Sequence, residues 1–89
     1  MARAKDTKAD ARRAIIQIIP AQGWGAEFHY DEKGLSAVTL PLVCWSLVSE
    51  KQPLSRRAVW SVIGMIADGE GRIVFADLEK GFSKYERLT

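Results

Sequence analysis

The chain has 89 residues, 47% of them hydrophobic and 27% charged, with one His, one Cys and a net charge of +2. That is the composition of one folded domain rather than a disordered tail, and a chain this short buries roughly 60–65% of its unfolded surface. So few His and Cys residues exclude a four-ligand structural zinc site and an internal disulfide. A single reduced thiol, Cys44, fits a cytoplasmic protein.

The charge is uneven. Residues 1–19 carry five basic and two acidic groups (+3), and residues 20–89 carry eight basic and nine acidic (−1). No apolar signal-peptide core follows the basic residues, and the longest apolar stretch, Leu40 to Val48, falls well short of the ~20 residues of a membrane span. The sequence therefore reads as one domain over residues 1–89, frayed over 1–5, with no membrane partner.

In chain order, a helix is predicted to start near Asp6 or Thr7, either able to cap free N–H groups. Ala11, Ile15, Ile18 and Ile19 then share one helical face, Lys8, Arg12 and Arg13 point away, and Pro20 stops the helix. Trp24 to Tyr30 alternates as a half-buried strand, with Trp24, Ala26, Phe28 and Tyr30 on one side and Gly25, Glu27 and His29 on the other. The polar turn Asp31-Glu32-Lys33-Gly34 should lead by a hairpin into a second strand.

The run Leu35 to Val48 is too long and too apolar on both faces for one alternating strand. Pro41 cannot donate in a ladder, so a strand before it and a strongly bent continuation through Val48 are expected, with a short helix over Leu42 to Val48 as the competing reading. After a polar connection containing Pro53, Val59 to Ala67 reads as the third strand. Asp68-Gly69-Glu70-Gly71 is the clearest hairpin turn, and Arg72 to Ala76 returns antiparallel. Asp77 would cap a helical turn over Leu78 to Lys80, Gly81 would end it in a left-handed conformation, and Phe82 and Tyr85 would pack back on the sheet. The fold class that follows is α+β: an N-terminal helix on a four- to five-stranded antiparallel meander, open or curled into an SH3-like small barrel.

The chemistry-bearing residues are few. Glu27, His29 and Asp31 share the outward face of the first predicted strand, where a carboxylate beside an imidazole suits acid–base work. No nucleophile accompanies them, and a solvated strand face carries such residues anyway. Catalysis at Cys44 would need a basic neighbour to lower its pKa. The Asp68–Arg72 stretch lacks the lysine and the strand-to-helix setting of a phosphate loop. Catalytic, metal-binding and cofactor-binding residues are therefore assigned to none.

Binding is the better prospect. Trp24, Trp45 and Trp60 default to core packing, yet a helix covers only one side of a sheet whose strands are apolar on both. That marks Trp45, Trp60, Val62 and Ile66 as candidate interface residues for a protein partner or a second copy. The alternative is nucleic-acid contact through Lys8, Arg12, Arg13, Arg56 and Arg57. The segments VCWSLV, VIGMI and GFSKY resemble a pattern in small uncharacterised actinobacterial and phage-type proteins, with a Trp-centred strand, a Val-Gly hairpin and a terminal aromatic pair. The resemblance spans residues 35–85 and implies no activity, cofactor or catalytic residue.

Overall fold

The structure, a computed structural model, describes residues 12–31, 36–52 and 57–88. Among these lie seven strands: β1 (Arg13–Ile19), β2 (Trp24–His29), β3 (Ala37–Pro41), β4 (Cys44–Lys51), β5 (Ala58–Ala67), β6 (Ile73–Phe75) and β7 (Phe82–Arg87). A 3-10 turn, Ala76–Leu78, joins the last two. They form two antiparallel sheets, one ordered β1-β4-β5-β6 and the other β3-β2-β7.

The α+β expectation is thereby corrected to an almost all-β fold. Residues 13–19, predicted to be the second half of a helix, are strand β1, paired to β4 from Arg13 opposite Glu50 to Ile19 opposite Trp45. The four isoleucines of this stretch are β-branched, stiff at χ1 and better packed on a pleated surface than on a helix. The predicted helix start at Asp6 or Thr7 and the frayed residues 1–5 lie outside the described residues. Nor is the sheet a meander: β1 crosses over to pair with β4, and β2 sits between β3 and β7.

Pro41 and the two residues after it turn the chain from one sheet into the other. Leu42 N–H donates to Trp24 O at 2.9 Å, back to the three-stranded sheet, while Val43 N–H donates to Met65 O at 2.8 Å, forward into the four-stranded one. Cys44 to Val48 is therefore strand rather than short helix. The Asp68 turn forms as the sequence suggests, with Asp68 N–H bonded to Arg72 O at 2.8 Å and Gly71 at φ 82°. Asp77 does not cap a turn; it lies inside the 3-10 turn, whose N-cap position is Phe75.

Two cores result, on opposite faces of the four-stranded sheet. Between the sheets, Ala26, Phe28, Leu42, Ile66, Val74 and Ala76 are buried, flanked by Trp24, Trp45, Phe82 and Tyr85. On the other face lie Cys44, Val48, Ile63, Met65 and Phe75, with Leu78 against them. Alternation explains the split: Cys44, Ser46 and Val48 point one way from β4, and Trp45 and Leu47 the other. A bulge serves the inter-sheet core as well. The β2–β7 register shifts between Glu27 and Phe28, which pairs Phe82 with Phe28 and Tyr85 with Ala26. Two aromatics three residues apart, which a regular strand would aim at opposite faces, thus enter the same core.

Candidate functional site

Strand β5 changes character along its length. Ile63 to Ile66 are buried on both faces, whereas Ala58, Val59, Trp60 and Val62 are exposed. Trp60 and Val62 lie on the face that carries Gly64 and Ile66, but the three-stranded sheet covers only the Gly64–Ile66 end. Trp60 is 60% exposed and Val62 52%, against 3% for Ile66.

Register defines the neighbours of this bare patch. Trp60 stands opposite Ser49 and Val62 opposite Leu47, and beyond them Ala14 is opposite Ser49 and Gln17 opposite Leu47. These six positions hold no charged side chain, and the next pair on this face is Ala58 with Lys51. A solvated sheet face ordinarily carries polar residues, so an exposed Trp and Val with uncharged neighbours resemble the core of an interface.

Of the four residues proposed from sequence, two are therefore interior. Ile66 belongs to the inter-sheet core. Trp45 stands edge-on to Trp24 at 5.6 Å and to Tyr85 at 4.9 Å between ring centroids, packed against that core. Tyr85 also fixes the end of the bare patch. It lies over Gly64, where any Cβ would collide with its ring, and its hydroxyl accepts the Gly64 N–H at 2.9 Å. Its phenol is pushed above the ordinary value by burial, which outweighs the opposing pull of the Gly64 N–H.

The basic residues fare differently. Lys8 and Arg56 lie outside the described residues. Arg13, expected to point away from the core, has a side chain only 8% exposed. Its guanidinium donates to both Asp77 oxygens at 2.9 and 2.8 Å and to Glu50 at 3.2 Å, above the Phe75 ring. The Asp77 hydrogen bond, more than any other influence, holds its pKa above the ordinary value. Arg13 is thus committed to two carboxylates of its own chain and offers little charge to a phosphate. Arg12 is half-buried, and Arg57 is exposed beyond the start of β5.

His29 Nε2 lies 3.1 Å from Glu27 Oε1 on β2. An open depression of about 450 Å³ beside them is lined by His29, Tyr30, Asp31, Lys80 and Gly81. It joins no Ser or Cys nucleophile to the pair. Burial raises the Cys44 thiol, which favours the unreactive protonated form. Among the described residues no three His, Cys, Asp or Glu side chains gather to hold a metal ion, and no helix is long and apolar enough to cross a membrane. Comparison with protein-family models, with curated proteins and with solved structures finds no match to the chain.

Proposed function

We propose that this chain is a small non-enzymatic interaction module of the cytoplasm that self-associates through the bare half of its four-stranded sheet. The observation that carries this reading is the exposure of Trp60 and Val62, whose cross-strand neighbours Ser49, Leu47, Ala14 and Gln17 carry no charge. Folding has no use for a tryptophan there, whereas tryptophans dominate the energetics of protein interfaces. The positions around Trp60 and Val62 are uncharged up to Lys51, opposite Ala58, whereas a nucleic-acid backbone is bound chiefly through clustered Lys and Arg.

Trp60→Ala tests the reading. Trp60 is mostly exposed, so the variant is expected to melt within a few degrees of the parent. Its self-association should weaken by about 2 kcal/mol or more, a roughly 30-fold rise in dissociation constant. Sedimentation equilibrium reads that change directly. A parent protein that stays at its 9.9 kDa monomer mass up to millimolar concentration would refute self-association.

A further inference from the structure

The way two copies meet can be read from the backbone of β5, and the inference rests on the interaction-module reading above. Gly64 N–H is turned out of the ladder with β4, since it donates to Tyr85 Oη instead. In an antiparallel pair such outward groups recur at every second residue, so Val62, Trp60 and Ala58 also present their N–H and C=O to the side away from β4. Strand β6 occupies that side only from Met65 to Ala67. Among the described residues, no backbone hydrogen bond reaches Ala58, Trp60 or Val62 from there. The first half of β5 is, among the described residues, an open sheet edge.

Each other edge in the described chain is blunted in one of the ways that discourage strand addition. The register of β1 shifts between Ile15 and Gln17, a bulge. Strand β3 ends at Pro41, β6 is three residues long, and β7 carries Lys84, Glu86 and Arg87. The segment Ala58–Ile63 has no proline, glycine or charge, and its register with β4 runs without a bulge. An uncharged, apolar edge without a bulge is a template for another strand.

We infer that the occupant is a second copy of this chain, paired antiparallel through β5 about a two-fold axis at Trp60. Only Ala58, Trp60 and Val62 can bond outward, because Tyr85 already occupies the Gly64 position. The register that uses all three sets Trp60 opposite its own twin and Val62 opposite Ala58. It closes six main-chain hydrogen bonds and places both tryptophans on one face as an aromatic cross-strand pair. Small Ala58 leaves room for Val62. The arrangement is self-complementary, as a two-fold interface requires. The area agrees with a weak dimer. Covering these side chains and the strand backbones removes on the order of 800–1,000 Å² from water in total, at the low end for specific interfaces. Association should therefore be read at hundreds of micromolar.

Amide hydrogen exchange followed by NMR, at about 20 µM and about 1 mM, tests this pairing alongside sedimentation mass. At the lower concentration Ser61 and Ile63, bonded to β4, should exchange slowly, and Trp60 and Val62 quickly. At the higher one the weight-average mass should rise by about two thirds, and the Trp60 and Val62 amides should slow about threefold, as a dissociation constant of hundreds of micromolar requires. Val62→Lys should abolish both changes while leaving the melt within a few degrees. A dimer whose Trp60 and Val62 amides keep exchanging fast would overturn the edge pairing but leave self-association standing. A monomer at 1 mM would overturn both. Slow Trp60 and Val62 amides already at 20 µM would show an edge covered within the monomer, and growth beyond a dimer would show head-to-tail pairing; either result overturns the two-fold.

Discussion

Arg13 offers the sharpest check on how the outer strand of the four-stranded sheet is tied to the turn that follows β6. It bonds Asp77, beyond β6, with a bidentate fork and reaches Glu50 on β4, so one side chain joins three segments distant in sequence. Removing one partner of a buried ion pair costs about 3–5 kcal/mol. Here Asp77 and Glu50 are 28% and 24% exposed and can partly rehydrate, which lowers the expected cost of Arg13→Ala to about 2–3 kcal/mol, lost contact with the Phe75 ring included. A domain of this size holds roughly 4–13 kcal/mol of stability in total, so the melting temperature should fall by about 10–20 °C. Arg13→Lys should recover only part of this, because an ammonium cannot form the planar fork. Urea titrations of Arg13→Ala, Asp77→Ala and the double variant would give the coupling, expected at about 1–3 kcal/mol. A coupling below about 0.5 kcal/mol would refute the reasoning, since that is the range of a solvated surface pair.

Three further outcomes follow from the packing. Gly64→Ala places a methyl group against the Tyr85 ring at 2.6 Å and Leu42 at 2.9 Å, and should destabilise by about 2–3 kcal/mol in denaturant titration. Gly81→Ala should cost at least as much, because Gly81 holds φ 87° and a Cβ there runs into the His29 carbonyl; an unchanged urea midpoint would contradict the β2–β7 junction described. Burial holds the Tyr85 phenol and the Cys44 thiol above their ordinary values, so above about pH 8.5–10 the unfolded chain loses protons that the native one keeps. The stability they contribute is whole below that range and is lost as pH rises through it. Melts from pH 7 to 11 should fall at the alkaline end, less steeply for Tyr85→Phe, and identical slopes for the two proteins would count against a buried phenol.

What the sequence shows of this fold is mostly local. The alternation of β2, the Asp68 hairpin with Gly71 at positive φ, the turn of the chain at Pro41 and the left-handed Gly81 all depend on residues within a few positions of each other. The misread segments depend on distant partners. Ile15, Ile18 and Ile19 fit a helical face as well as a strand, and the ladder with β4, more than 25 residues away, decides for the strand. Strand β7 is hidden for a related reason: Phe82 and Tyr85, expected to pack on the sheet, stand three apart and do not show the alternation of a strand unless the bulge opposite Glu27 and Phe28 is known. For the candidate site, Trp45 and Trp60 sit in similar apolar runs, and nothing nearby distinguishes them. Their burial differs because the three-stranded sheet reaches one and not the other.

Why it stops short follows from strand length. Strands β2, β3 and β7 have six, five and six residues, whereas β5 has ten. At about 3.3 Å per residue the shorter sheet spans roughly 20 Å and β5 roughly 33 Å, which leaves an overhang of about four residues. The overhang coincides with the exposed first half of β5, where Trp60 and Val62 lie. A protruding strand that served only the monomer would do best with Thr, Lys or Glu on its free face, since these keep an edge soluble and discourage pairing. This one carries Trp, Val and Ala, a composition that opposes the solubility of the isolated chain and fits the self-association proposed above. The same length mismatch that limits the inter-sheet core therefore creates the site, because the ladder with β4 holds the overhang in extended form before any partner arrives. In the proposed pairing little backbone entropy would remain to be lost, which would favour association through so small an interface.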